Sequence, residues 1–152
     1  MKKYIVIISI LVLFGLAQFI RPERNQQTIP SRYDIFHLTD TPAQIVSSIR
    51  TACYNCHSNS TTYPWYASIS PVSWLIDRHI IEAKSELNFS EWILYSKEEQ
   101  ETLLLELIEV LEKSKMPPKP YLWLHAEAKF DQATTDMIIH WARDKKQQVQ
   151  LN

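Results

Sequence analysis

Apolar residues recur at helical spacing through most of the chain. In four segments they fall three and four residues apart, which places them on one face of a helix. These segments cover residues 45–52, 72–87, 103–111 and 133–142. No stretch shows the strict apolar and polar alternation, bounded by turn residues, that marks a half-buried strand. The pattern therefore predicts an all-α fold.

Helix-starting residues precede each of these segments. They are Thr41-Pro42-Ala43-Gln44, Ser70-Pro71, the capping box Ser96-Lys97-Glu98-Glu99, and Asp131. Between the second and third helices, residues 88–95 predict a short helical turn capped by Ser90. On the second helix the predicted buried face comprises Val72, Leu75, Ile76, His79, Ile80, Ala83 and Leu87.

The N-terminus has a different pattern, because residues 4–20 contain no charge and are apolar on every face. Such a stretch is unsuited to the surface or core of a small domain. It predicts a membrane anchor at residues 1–21, with a cleaved signal segment as the alternative. A tether over 22–40, with Tyr33, Ile35, Phe36 and Leu38 packed as a strap, then leads to a domain over 41–146. A polar tail follows at 147–152, and we expect fraying from Lys145 onward.

Composition excludes several classes of function. Gly15 is the only glycine, so the glycine loops that cradle phosphates are absent and nucleotide binding by those routes is excluded. The net charge of −1 provides no electrostatic basis for binding nucleic acid. The glutamates along the third long helix are interpreted as solvated charge without a catalytic role.

Candidate chemistry is concentrated in Cys53-Tyr54-Asn55-Cys56-His57, which holds the only two cysteines of the chain. The spacing C-x-x-C-H is the attachment signature of c-type haem. Two thiols three residues apart can each form a thioether to a haem vinyl group, and the adjacent imidazole can then bind the iron. The motif predicts one covalently attached haem c, held by Cys53, Cys56 and His57.

Other interpretations of the motif fit less well. A thioredoxin-like thiol pair is expected in a βαβ context, which the pattern lacks. A structural zinc site needs a second pair of ligands, whereas His37, His79 and His125 are scattered singly. A disulfide between residues three apart would close too small a loop to stabilise much.

Met116 is the leading candidate for the sixth iron ligand. It begins the sequence Met-Pro-Pro-Lys-Pro at 116–120, a stiff loop between two predicted helices. A thioether is a soft ligand, and His/Met coordination raises the reduction potential. His79 and His125 are alternative distal ligands, and a methionine filling a gap in the core is the structural alternative. The rings of residues 63–66 are expected to pack either on the porphyrin or within the core.

Three features together resemble a small class I cytochrome c: a helix ending in the C-x-x-C-H motif, a Met-Pro loop, and a final helix bearing Trp141. More specifically, nearly the whole chain resembles the membrane-anchored bacterial haem-binding-domain family. The stretches that carry this resemblance are Gln18-Phe19-Ile20-Arg21-Pro22, Cys53-Tyr54-Asn55-Cys56-His57-Ser58, Tyr63-Pro64-Trp65-Tyr66, Asn88-Phe89-Ser90-Glu91, Met116-Pro117 and Ile139-His140-Trp141. The resemblance implies a monohaem c-type protein with His57 as proximal ligand and Met116 as distal ligand. Unlike ordinary class I cytochromes, the interval between these two residues holds no glycine.

A six-coordinate haem leaves no open site for a substrate, so we expect an electron carrier with no catalytic residues. Its partners would be redox proteins, in particular membrane oxidoreductases. Because c-type haems are attached outside the cytoplasmic membrane, we expect an anchored domain that faces the periplasm. A gas or redox sensor with an open iron is the alternative, as is a peroxidase-like enzyme that uses His79 or His125 as acid or base.

Overall fold

The computed structural model describes residues 2–27 and 32–151, and all of its regular structure is helical. Residues 28–31 of the predicted tether lie outside that part of the chain. The α-helices are α1 (Lys2–Ala17), α2 (Ile35–Leu38), α3 (Ala43–Ala52), α4 (Tyr54–His57), α5 (Val72–Glu86), α6 (Lys97–Glu112), α7 (Lys119–Leu122) and α8 (Gln132–Leu151). Short 3-10 helices cover Trp65–Ser68, Phe89–Leu94 and Ala126–Ala128. Within the described ranges the only extended pairing is an isolated bridge between Gln26 and Ser60. The all-α prediction is confirmed.

The core forms where α6 packs along α8 and where α3 meets α8. Each helix contributes its apolar face to the core, because removing apolar surface from water is favourable. Leu104 and Ile108 of α6 and Ile138 and Trp141 of α8 are buried there. The strap is confirmed for Ile35 and Phe36, because Ile35 is buried and Phe36 packs against the same core.

Two of the predicted helix caps are confirmed. The Ser96 hydroxyl accepts a hydrogen bond from the Glu99 backbone and the Glu99 carboxylate accepts one from the Ser96 backbone, as a capping box requires. The Asp131 carboxylate accepts a hydrogen bond from the Thr134 backbone at 2.8 Å at the start of α8. Both caps are local, so sequence alone identifies them.

Two other predicted caps are wrong. Pro42 occupies the position before α3 and no side chain caps that helix; the Thr41 hydroxyl instead accepts a hydrogen bond from the indole of Trp141 at 3.3 Å. In the short turn after α5, Asn88 rather than Ser90 is the cap, with its side chain accepting from the Ser90 backbone. In both cases the side chain has a different partner from the one that the local pattern suggests.

The predicted buried face of α5 is correct only in part. Ile80 is buried and Ile76 and Ala83 are half-buried, as predicted, whereas Val72, Leu75 and His79 are exposed and Ser73 is buried instead. The reason is a hydrogen-bonded junction at the start of the helix, where the Ser73 hydroxyl lies 3.1 Å from that of buried Ser70. These polar groups turn the Ser73 side of the helix inward.

The N-terminal helix α1 has no buried residue, and its apolar side chains are exposed all round. It contains 16 residues, which at ~1.5 Å per residue extend about 24 Å, less than the ~30 Å of a bilayer core. Across residues 2–27 and 32–151 no helix combines the length and the apolar character that a membrane crossing demands. The prediction of a membrane anchor at 1–21, and of a single-pass location in the cytoplasmic membrane, is therefore wrong.

The two ends of the folded domain are more ordered than the sequence predicts. Residues 18–27 run across the domain, beginning with a pair of 3.0 Å hydrogen bonds between the Gln18 side chain and the backbone of Ser70. At the other end, α8 continues to Leu151, and Val149 packs against the core where fraying was expected from Lys145.

Candidate functional site

The C-x-x-C-H motif forms a single helical turn at the junction of α3 and α4. Cys53 ends α3, and its carbonyl accepts hydrogen bonds from the backbone of Cys56 at 3.1 Å and of His57 at 2.8 Å. Residues three and four apart lie on the same face of a helix. The turn therefore places both thiols and the imidazole on the same face.

The ring of His57 is oriented by a hydrogen bond to the backbone. Its Nδ1 lies 3.0 Å from the carbonyl oxygen of Leu87, just beyond the end of α5. Because a carbonyl only accepts, Nδ1 carries the proton and Nε2 keeps its lone pair. Burial lowers the pKa of His57 from its ordinary value, which favours the neutral ring. This is the tautomer and protonation state of an imidazole ligand that binds metal through Nε2.

The two thiols are free and partly buried. Burial, with a smaller contribution from Cys56, raises the pKa of the Cys53 thiol from 9.0 to about 12. Burial also raises the pKa of Cys56. Redox-active C-x-x-C pairs need a lowered pKa, since the thiolate is the nucleophile. The environment of these cysteines therefore disfavours the thioredoxin-like interpretation.

Tyr54, inside the motif, anchors the turn to the core. Its ring stacks between Phe36, with centroids 5.8 Å apart, and Phe89, with centroids 5.4 Å apart. Its hydroxyl donates to the buried carboxylate of Asp34, whose two oxygens are both at 3.0 Å. The edge of the His57 ring lies against Phe89. These contacts anchor the turn to the core.

The loop after the motif is held by side chains from a distant segment. The Asn25 side chain donates to the carbonyl of Ser58 at 2.8 Å and to the hydroxyl of Thr61 at 2.9 Å, and it accepts from Lys84 at 3.0 Å. The Thr61 hydroxyl in turn donates to the carbonyl of Asn55 at 2.7 Å. This loop has no glycine, so its shape depends on side-chain hydrogen bonds.

Met116 lies in the loop between α6 and α7, with 41% of its surface exposed. The loop leads into α7, where the Tyr121 hydroxyl accepts a hydrogen bond from the Asn55 side chain at 3.1 Å. The segment that follows Met116 is thus in contact with the C-x-x-C-H turn. The methionine does not fill a gap in the core, which removes the structural alternative.

The two alternative distal ligands differ in their surroundings. His79 lies on the exposed side of α5. His125 has both ring nitrogens engaged: Nε2 lies 2.7 Å from the Tyr66 hydroxyl and Nδ1 lies 3.0 Å from the Glu127 carboxylate. Its ring also stacks on Tyr121, with centroids 4.2 Å apart. Iron binding by His125 would require one of these hydrogen bonds to break.

The aromatic residues of the loop at 63–66 do not share one environment. The Tyr63 hydroxyl accepts a hydrogen bond from the Asn25 backbone at 2.9 Å, and Tyr66 contacts His125. Trp65 is 78% exposed. The expectation of ordinary core packing is wrong for Trp65, because most of its large apolar surface is exposed.

Sequence reasoning missed the groups that orient the motif. These are the Leu87 carbonyl and the side chains of Asn25, Asp34, Asn59 and Asn88. Asn88 stands in one of the stretches that carry the family resemblance, which was the available signal. Asp34 also caps α2, where its carboxylate accepts a hydrogen bond from the Phe36 backbone, and that pattern is local. The Leu87 carbonyl, Asn25 and Asn59 show no local pattern, because their partners are more than ten residues away in the chain.

The donor set fits haem better than a bare metal ion. Throughout the part of the chain that the structure describes, no three His, Cys, Asp or Glu side chains form a group able to hold a metal ion. A porphyrin brings four ligands of its own, so it needs from the protein only an axial base and points of attachment. His57 and the two thiols supply these.

The fold and the site define a small all-helical protein with a helical C-x-x-C-H turn and a neutral, oriented histidine. Residues 12–144 match the model of the haem-binding domain family. The chain belongs to this family and is a haem-binding protein with haem as its cofactor. No curated protein and no solved structure matches it.

Proposed function

We propose that the chain is a monohaem c-type cytochrome. Cys53 and Cys56 would hold the haem through thioethers, and His57 would bind the iron through Nε2. The observation that carries the proposal is the 3.0 Å hydrogen bond from His57 Nδ1 to the Leu87 carbonyl. His57 lies on the same helical turn as the two thiols. A histidine ligand needs this fixed tautomer and ring orientation.

Met116 is the proposed sixth ligand. It is exposed, it lies four residues after the end of α6, and its loop continues into the helix that contacts Asn55. His125 is held by two hydrogen bonds, and His79 points away from the buried side of α5. A soft thioether with a neutral imidazole would favour the ferrous state and a raised potential.

The proposed activity is electron transfer with redox proteins as partners. When bound, the haem supplies a one-electron iron couple. The chain would supply His57 and Met116 to the iron and Cys53 and Cys56 for attachment, and no residue is assigned a catalytic role.

Covalent attachment is tested first by producing the chain with a cytochrome c maturation system and denaturing it. We expect haem to stay with the unfolded polypeptide. The double variant Cys53→Ala/Cys56→Ala should release all of it, and each single variant should keep at most one thioether. Full covalent haem in the double variant would disprove the c-type proposal.

The iron ligands are tested by the visible and near-infrared spectrum of the oxidised and reduced protein. A weak band near ~695 nm in the oxidised form, with a low-spin reduced spectrum, indicates His/Met ligation. A high-spin reduced form that binds CO would exclude Met116 as a ligand.

An open-iron sensor or peroxidase-like enzyme is the second candidate function. The hydrogen-bonded series Tyr66, His125 and Glu127 favours it, because a carboxylate, an imidazole and a hydroxyl in contact can move protons. This series lies one stacked ring, Tyr121, away from Asn55. CO binding by the ferrous protein separates this candidate from the electron carrier.

A further inference from the structure

The segment that follows α5 supplies the carbonyl that orients His57. Leu87 ends the helix in an extended conformation, with its backbone N–H on the Ala83 carbonyl at 3.0 Å. Its own carbonyl faces His57 Nδ1. A carbonyl can orient a ring only if the backbone that carries it is itself fixed, so the attachment of the next residues decides how firmly His57 is held.

Asn88 fixes that backbone. It is 2% exposed, and its backbone N–H donates to the Tyr95 hydroxyl at 3.0 Å. Its side-chain oxygen accepts from the Ser90 backbone at 3.1 Å, and its side-chain nitrogen donates to the Asn59 side-chain oxygen at 2.9 Å. Every one of these groups is used, as burial requires.

Asn59 completes the connection from the other side, two residues after His57. Its backbone N–H donates to the Ser90 hydroxyl at 3.2 Å, and its side-chain nitrogen donates to the Glu91 carboxylate at 2.9 Å. Residues 57 and 59 are thus joined to residues 87, 88, 90 and 91 by four hydrogen bonds.

We infer that Asn59 and Asn88 are positioning residues that set the orientation and electron donation of His57. This inference rests on the proposed role of His57 as the proximal ligand. The Nδ1–H bond to a carbonyl makes the imidazole a stronger donor, and strong donation favours ferric iron. If the Asn59–Asn88 bond is lost, the Leu87 carbonyl is less firmly placed, the imidazole donates less and the reduction potential rises.

The test uses the haem-loaded full chain with Asn88→Ala, Asn59→Ala and the double variant. Each single variant should raise the midpoint potential, by about 59 mV if the relative affinity of His57 for the two iron states changes tenfold. Ferric EPR g values should shift with it, because they report the ring orientation. The shift in the double variant should be smaller than the sum of the two single shifts, since both single variants remove the Asn59–Asn88 bond. If Asn88→Ala prevents folding, Asn59→Ala removes the Asn59–Asn88 bond at the partner that is only half-buried.

The matched control is Asp131→Ala, which removes the cap of α8 and destabilises the chain without touching residues 57–59 or 87–91. It should leave the potential and the g values unchanged. Covalent, low-spin haem with unaltered potential and g values in the asparagine variants would overturn the inference alone. Loss of covalent attachment in the parent chain would instead overturn the proposed c-type function.

Discussion

At the scale of single residues, the protonation of the two thiols separates a haem attachment site from a redox pair. With a pKa of about 12, only about one Cys53 in ten thousand is a thiolate at pH 8, against about one in ten for a thiol of pKa 9.0. We expect iodoacetamide to label Cys53 in the haem-free Cys56→Ser variant about a thousandfold more slowly than in the unfolded chain. The labelling rate should rise tenfold per pH unit between pH 8 and 10.

Labelling of the same variant in concentrated urea is the control for reagent access. If Cys53 in the folded chain reacts at pH 8 as fast as in urea, its pKa is not raised. Such a result would support the interpretation of the two cysteines as a thioredoxin-like redox pair.

Replacing Met116 by alanine tests its role as a ligand. We expect the haem-loaded variant to lose the band near ~695 nm, to bind CO and to have a lower reduction potential, because a soft ligand that favours ferrous iron is gone. The free energy of unfolding of the haem-free chain should change by less than about 1 kcal/mol, since the side chain is 41% exposed. His125→Ala is the matched control, and a spectrum that changes only in that variant would assign the sixth position to His125.

At the scale of elements, α6 ends in an unusual way. Ser114 has φ of 49°, in the left-handed region that favours glycine. The backbone of Ser114 donates to Leu111 at 3.0 Å and that of Lys115 to Val110 at 2.8 Å, which is the hydrogen-bond pattern of a Schellman motif. Ser114 therefore adopts the conformation that glycine usually supplies at this position, at a cost in backbone energy. It lies two residues before Met116, whose peptide bond with Pro117 is cis.

Ser114→Gly should relieve that cost and raise the free energy of unfolding by about 0.5–1 kcal/mol. Urea unfolding of the haem-free chain measures it. Ser114→Ala keeps the Cβ and should bring no such gain. Equal stability of the two variants would show that the left-handed conformation is not strained.

Local chemistry explains which elements the sequence predicts correctly. The capping box at Ser96 and the cap at Asp131 involve residues three apart, so their pattern is visible in the chain. The C-x-x-C-H turn is visible for the same reason. The buried face of α5 cannot be seen in the sequence in the same way. It depends on contacts of Ser70 with Gln18 and Ser73, and the contact with Gln18 spans 52 residues. The Asn59–Asn88 bond joins residues 29 apart, and no periodicity marks it.

At the scale of the whole molecule, residues 18–27 and helix α1 differ sharply in what they contribute. The helix buries no side chain. The segment after it is attached at Ser70 and Trp74, through Gln18 and the Ile20 carbonyl, and then at Ser58 and Thr61 through Asn25. The segment is therefore part of the folded domain.

Removing α1 should leave the domain intact. A chain that begins at Gln18 should unfold in urea within about 0.5 kcal/mol of the full chain and keep its haem. Asn25→Ala in the full chain should cost about 1–3 kcal/mol, because it leaves buried groups near Ser58 without partners. If the truncated chain lost much of its free energy of unfolding while Asn25→Ala lost none, helix α1 rather than residues 18–27 would be part of the folded domain.

The loop after the C-x-x-C-H motif contains no glycine and depends on side-chain hydrogen bonds, which has a consequence for engineering. The five motif residues are short enough to be copied onto another helix, but the groups that aim the imidazole come from residues 25, 59 and 87–91 of this chain. A transplanted motif would keep the two thiols and the histidine that attach haem, but it would lose the hydrogen-bond partners that orient the imidazole. In a designed protein, such a graft would give covalent haem with a mobile proximal ring unless the asparagine and carbonyl partners were grafted with it.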